Sequence, residues 1–187
     1  MPDFQILRLD DIEVDNSIQP RAKGLDGGHV DDLAAAYTAG ADIPPPVVWN
    51  LGGERFRLSQ GYHRLKGAKK AKLTELKCEV RRGTETDCAI DSATSNQGHG
   101  LKRSNDDKRR CVELLLKLLP EHTDTVIAEK AGVAQSFVAE RRGGVFKSDL
   151  NTPPSTRTGQ DGRRYKTNKP KIRLETGEEF PHLNERG

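Results

Sequence analysis

The sequence predicts an α+β protein: a small N-terminal unit of short strands and helices, an all-α helix-turn-helix unit behind it, and a disordered tail. Three observations predict it. Over residues 1–96, short runs of alternating apolar and polar residues repeatedly give way to helical spacing. Residues 104–142 then show helical spacing alone, broken at Gly132. From residue 147 onward Pro, Thr, Gly, Asn and charge displace apolar anchors, which predicts a basic, mostly disordered tail. The three units are accordingly drawn as 1–96, 97–146 and 147–187.

Residues 4–9 alternate as a strand, and Asp10-Asp11-Ile12 turns it. Gln19 precedes Pro20 and is pushed out of the helical region, so Gln19-Pro20-Arg21 is extended or turned. After Asp26-Gly27-Gly28, the positions Val30, Leu33, Ala34 and Tyr37 recur at helical spacing, and Gly40 is a natural stop. Pro44-Pro45-Pro46 blocks helix and feeds the extended run Val47-Val48-Trp49. Gly52-Gly53 joins that run to the strand 55–59, predicting a hairpin. Residues 76–81 alternate again, and Thr86-Asp87 opens a helix holding Ala89, Ile90 and Ala93.

Between those strands lies the stretch Phe56-Arg57-Leu58-Ser59-Gln60-Gly61-Tyr62-His63-Arg64-Leu65. It reads as strand, tight turn and helix, with Gly61 at the corner. The first turn of a helix carries unpaired N–H groups and the positive end of the dipole. With His63 and Arg64 in that turn, the corner is a cradle for an anion, most naturally a phosphate. The competing reading is that Gly61 serves backbone geometry alone and Arg64 is merely solvated. Both stay open at this point.

Ser104 is a good N-cap with Asp106-Asp107 in the first turn, and Cys111, Leu114, Leu115, Leu118 and Leu119 form one apolar face before Pro120 ends the helix. Residues 123–142 follow in a helix-turn-helix layout. Ile127 and Ala128 face a core, Gly132 permits the turn, Val133 plugs the corner and Val138 anchors the second helix. Gln135, Ser136, Ala139 and Arg142 remain as outward positions able to enter a major groove. An ordinary helical hairpin would share this pattern.

Composition bounds the partners. No apolar run approaches the ~18–20 residues that span a bilayer, and no secretory segment is visible at the start, so no membrane association and a cytoplasmic location are expected. Cys78, Cys88 and Cys111 form no C-x-x-C pair, which predicts buried reduced thiols rather than a disulfide framework or zinc site. Residues 1–100 hold 13 Lys and Arg against 15 Asp and Glu (−2), and residues 101–187 hold 18 against 13 (+5). A polyanionic partner therefore suits the back half. Arg157, Arg163, Arg164, Lys166, Lys169, Lys171 and Arg173 make the tail basic in its middle.

The order of these pieces resembles the ParB/sulfiredoxin-like family, and more closely its ParB-like partition members with a helix-turn-helix. The resemblance is carried by Gln19-Pro20-Arg21, residues 44–47, Gly61-Tyr62-His63-Arg64, Asn96 with His99-Gly100-Leu101-Lys102-Arg103, Asn105-Asp106-Asp107-Lys108-Arg109, and the segment 127–142. It spans about residues 4–143. It implies duplex-DNA binding, a CTP switch with Mg whose phosphates lie on the glycine-arginine turn, a ParA-type ATPase as partner, and a homodimer. Arg21, Gly61, His63, Arg64 and Asn96 match or adjoin the positions that would face the nucleotide. This chain has Gly61-Tyr62-His63-Arg64 where partition proteins usually have Gly-Glu-Arg-Arg, and His99 stands where an arginine is usual. Fewer fixed positive charges predict weaker triphosphate binding. Sulfiredoxins carry Gly-Cys-His-Arg at the turn, and Tyr62 cannot supply the thiolate, so sulfinic acid reduction is not expected. The tail has no heptad pattern for the long dimerisation helix of chromosomal ParB.

Two functions follow. The first is a ParB-like DNA-binding protein, a plasmid- or phage-type partition factor or transcription regulator, possessing no catalytic residues and nucleotide-modulated at most as a weak CTPase. Gln135 and Ser136 would read bases, with Lys102, Arg103, Arg141 and Arg142 on phosphates. The alternative is a nucleotide-dependent enzyme, a CTPase, phosphotransferase or nuclease, using the 61–64 turn. No carboxylate cluster has metal-ligand spacing, which counts against a nuclease.

Overall fold

Strand β1 (Asp3–Arg8) runs antiparallel to β5 (Glu75–Arg82) at one edge of a five-stranded mixed sheet, which continues from β5 through β3 (Val47–Asn50) and β4 (Phe56–Gln60) to β2 (Ile12–Glu13). The computed structural model describes residues 2–95, 103–148 and 154–167. The expected hairpin forms between β3 (Val47–Asn50) and β4 (Phe56–Gln60), antiparallel with a register shift after Val47. Two pairings lie beyond local pattern. β3 pairs parallel with β5, and the two-residue strand β2 (Ile12–Glu13) pairs parallel with β4.

Helix α1 (Gly27–Thr38) starts where Asp26 accepts from the N–H of His29 and ends before Gly40. Helix α2 (Tyr62–Lys70) follows β4 through Gly61. Leu7, Leu9, Val48, Leu58, Tyr62, Leu65, Ala68 and Cys78 make the sheet's buried core. Helix α3 (Glu85–Thr94) opens on a capping box between Thr84 and Asp87, two residues before the dipeptide expected to start it.

The remaining helices are α4 (Asn105–Leu118), α5 (Asp124–Ala131) and α6 (Gln135–Ser148). Ser104 caps α4 as its sequence suggests, in a reciprocal box with Asp107. Gly132 sits at φ +61 between α5 and α6, a conformation that costs other residues about 1–2 kcal/mol. Cys111, Val112, Leu115, Leu116, Ile127, Ala131 and Val138 form a second buried cluster, and Ala93 of α3 belongs to it.

Helix α3 therefore serves two cores. Ser92 donates to Ile18 O and Asp91 receives donors from the sheet, while Ala93 O accepts from Cys111 Sγ on α4. The three thiols are buried and free as expected, and burial pushes Cys78 and Cys111 up to about 11 and Cys88 to about 12. Within the region expected to be a mostly disordered tail, β6 (Thr156–Thr158) and β7 (Arg164–Lys166) form an antiparallel hairpin. Its anchors are backbone hydrogen bonds rather than apolar side chains, so the composition gave no sign of it.

Candidate functional site

The corner at Gly61 forms as its residues suggest. Gly61 has φ +94, and a Cβ there would lie 2.8 Å from Pro46 Cβ and 2.9 Å from Arg64 Nε. Only glycine admits both that backbone and that approach. Leu65 N–H donates to Gly61 O at 2.9 Å as the first helical bond, and the N–H groups of Tyr62, His63 and Arg64 have no acceptor among the described residues.

The side chains around them are committed to the fold. Arg64 Nη1 donates to the carbonyls of Pro44 and Pro45, both at 2.7 Å, which holds the proline run against the corner. Its pKa is lowered, because burial disfavours the cation more than Tyr37 and Cys78 favour it. His63 Nε2 accepts from Asp26 N–H at 2.9 Å, so its imidazole is neutral and fastens the start of α1. Burial first, then the positive fields of His29 and Arg21, hold His63 below its ordinary value; Asp26 opposes them. The His29 and His63 rings meet edge to face, centroids 5.2 Å apart. Tyr62 is buried with its hydroxyl 3.2 Å from Ser92 Oγ, and burial raises it to about 12.

Arg21 Nη1 lies 3.0 Å from Asp107 Oδ2 at the N-terminus of α4. Ala22 N–H donates to the other oxygen at 2.8 Å, and Ser104 N–H reaches Oδ2 at 2.9 Å. Burial alone would raise Asp107, but these donors outweigh it and hold the carboxyl below its usual range. Arg110 adds bonds to Gln19 O at 2.7 Å and Asn16 O at 3.0 Å. The loop after β2 is thus fastened twice to α4. Asn96 and Lys102 fall outside the described residues.

A triphosphate with Mg fits this corner poorly in the conformation present. Three backbone donors are available, but the guanidinium groups of Arg21 and Arg64 are each bonded to protein acceptors. Among the described residues no group of three His, Cys, Asp or Glu is placed to hold a metal ion.

On α6, Gln135, Ser136 and Ala139 are exposed, as expected for a helix presented outward. Arg142 is the correction. It is 4% exposed, with Nε 2.5 Å from Asp124 Oδ1, Nη1 3.2 Å from Pro120 O and Nη2 2.7 Å from His122 O. Arg142 lies one turn beyond Val138 and so shares its inward face, a signal the sequence did contain. Arg103 is likewise structural in part, donating from Nη2 to Ala131 O at 2.8 Å at the end of α5. Arg141 pairs with Glu140 at 2.9 Å and lies over the Phe137 ring.

Asp91 is a polar centre that sequence reading missed. It accepts from Trp49 Nε1 (3.1 Å), Ser59 Oγ (2.6 Å), Gln60 Nε2 (3.0 Å) and Arg81 Nη1 (2.6 Å), tying α3 to three strands. No local spacing marks it, since its partners come from distant segments.

These features define an α+β domain built on a strand-glycine-helix corner, sharing one helix with an all-α unit behind it. The chain belongs to the ParB N-terminal domain family, whose model matches residues 3–96. It is 32% identical over 148 residues to the "Streptomycin biosynthesis operon possible regulatory protein" of Streptomyces griseus, covering 79% of this chain and 40% of that protein. The chain thus spans about two fifths of that relative's length. Among solved structures it resembles the C-terminally truncated chromosome-partitioning protein ParB from Caulobacter crescentus complexed to the centromeric parS site (TM-score 0.52, 17% identity, 74% of this chain and 70% of that one). Sulfiredoxin from Arabidopsis thaliana is a further neighbour (TM-score 0.41, 21% identity, 48% of this chain and 97% of that one). No helix among the described residues is long and apolar enough to cross a membrane.

Proposed function

We propose that this chain is a ParB-like protein that binds duplex DNA in partition or transcription regulation, with the α5–α6 pair as its helix-turn-helix. The carrying observation is the exposed run Gln135, Ser136 and Ala139 at the start of α6, just beyond the left-handed Gly132. In this reading Gln135 and Ser136 contact base edges, and Lys102, Arg103 and Arg141 contact phosphates. Arg142 is assigned to holding α6 instead, because its guanidinium is buried on Asp124. Family membership and the regulatory and partition roles named for the relatives support the reading.

Selection of random duplexes with the full chain tests it. An enriched sequence is expected, with Gln135→Ala and Ser136→Ala each weakening preference about 10-fold or more at the contacted positions. A library that emerges unenriched would end the proposal.

Nucleotide modulation at the 61–64 turn is a finer form of the same reading, supported by the open N–H groups of α2. A bound phosphate would draw Arg21 from Asp107 or Arg64 from the proline carbonyls. Calorimetry with CTP and Mg, with and without duplex, tests this. A homodimer and a ParA-type ATPase partner belong to the proposal through the family alone.

A further inference from the structure

The hairpin β6–β7 is a built arm rather than a trailing tail. Thr123 N–H donates to Thr158 O at 3.0 Å and Thr158 N–H donates back to Glu121 O at 2.5 Å, which attaches β6 to the segment leading into α5. Gln160 Nε2 donates to Glu129 Oε2 at 2.7 Å on α5. Arg157 lies 3.7 Å from Asp124, the carboxylate that also takes Arg142 of α6. Arm, α5 and α6 are therefore fixed through one carboxylate and a pair of backbone bonds.

The tip is stiffened from within. Tyr165 Oη donates to Asp161 Oδ2 at 2.7 Å, Arg163 N–H donates to Asp161 Oδ1 at 3.1 Å, and Gly159 N–H donates to Arg163 O at 2.8 Å. The Tyr165 ring lies so close to Gly159 that a Cβ there would approach it to 2.6 Å.

Successive strand residues face opposite sides. Arg157 opposes Tyr165 across the hairpin, on the side turned toward Asp124, which puts Arg164 and Lys166 on the other side. Both are exposed, and neither has a carboxylate within 4 Å among the described residues. Arg163 at the tip has a side chain 83% exposed, with Asp161 3.7 Å away. Residues 154–167 carry four Arg and Lys against one Asp.

We infer that this hairpin is a second nucleic-acid contact: Arg163, Arg164 and Lys166 engage the phosphate backbone of duplex DNA flanking the site gripped by α5 and α6. The inference rests on the DNA-binding reading above and adds to it a separate, sequence-independent surface. Outward cations on a rigid support, anchored to the helices that grip the duplex, fit a regularly spaced polyanion. Phosphate contacts hold register and carry no base preference.

The test compares the full-length protein with R163Q/R164Q/K166Q, using the selected duplex and a scrambled one across a salt series. Three lost contacts reduce the salt slope by about 2.7, so the wild-type advantage shrinks roughly 40-fold between about 50 and 200 mM salt. Both duplexes weaken alike, and the selected sequence keeps its preference. The double variant R164Q/K166Q gives about two thirds of that slope change and guards against a local defect at the tip. A slope equal to wild type in both variants, including the case where they lose an acidic protein partner instead, overturns the inference and leaves the DNA-binding reading standing. Wild-type protein binding no duplex overturns both.

Discussion

Arg21 and Asp107, 86 residues apart, form an ion pair at 3.0 Å that closes the seam between the loop after β2 and the start of α4. Both side chains are largely buried, at 14% and 7% exposure, so neither group could return to water if its partner were removed. Asp107→Ala also strips acceptors from Ala22 and Ser104. We expect a loss of about 3 kcal/mol in urea unfolding, with Asp107→Asn intermediate. Equal midpoints for wild type and the Ala variant would show that the seam does not depend on this pair.

Arg142→Ala should act on stability before it acts on binding. It takes from Asp124 the partner at 2.5 Å, leaving Arg157 at 3.7 Å, and empties two carbonyl acceptors, and we expect about 3 kcal/mol of destabilisation. Gln135→Ala and Ser136→Ala, both exposed, should stay within about 0.5 kcal/mol of wild type. Thermal melts of the three variants separate the roles. An Arg142→Ala protein that melts normally yet releases DNA would restore that arginine to the interface.

Gly61→Ala should cost at least ~2 kcal/mol, from positive φ and from a methyl forced against Pro46 and Arg64. Arg64 would then lose its hold on the Pro44 and Pro45 carbonyls. Chemical denaturation measures the cost, and faster proteolysis around residues 44–46 is the accompanying sign. A substitution without cost would mean that the corner adjusts freely.

His63 should make stability depend on mild acid. Its folded pKa lies below the ordinary 6.5, so the unfolded chain binds the proton more readily. The stabilisation is complete above that value and falls as pH drops from 6.5 toward the folded pKa, where Nε2 gains a proton and Asp26 N–H loses its acceptor. His63→Gln retains an acceptor without titrating, and should flatten the stability profile below pH 6.5. The difference between the two profiles isolates His63, because the substitution changes no other side chain. Parallel profiles would refute the assignment.

Much of this architecture is legible in local pattern because short-range rules govern it. Alternation marks β1, β4 and β5, Ser104 announces α4, and the glycines at 61 and 132 mark corners where other residues would be strained. What stays hidden is set by pairing across the chain. β2 spans two residues, too few for a period, and exists because β4 offers it a parallel edge. Asp91 looks like a surface carboxylate until four donors from β3, β4 and β5 converge on it. The hairpin at 156–166 depends on Glu121 and Thr123 backbone groups, to which amino-acid composition is blind. Arg142 is different: its spacing from Val138 and Val145 was readable, but its charge drew attention outward.

Because α3 is a wall shared by two interiors, the front and rear of this molecule cannot be separated cleanly. A chain severed just after Thr94 would leave Ala93 and Ile90 without the α4 side chains that cover them, and would strip the second bundle of the surface it folds onto. Each fragment would carry an oily scar and tend to clump. The stability of one half is thus tied to the other through the packing of a single helix.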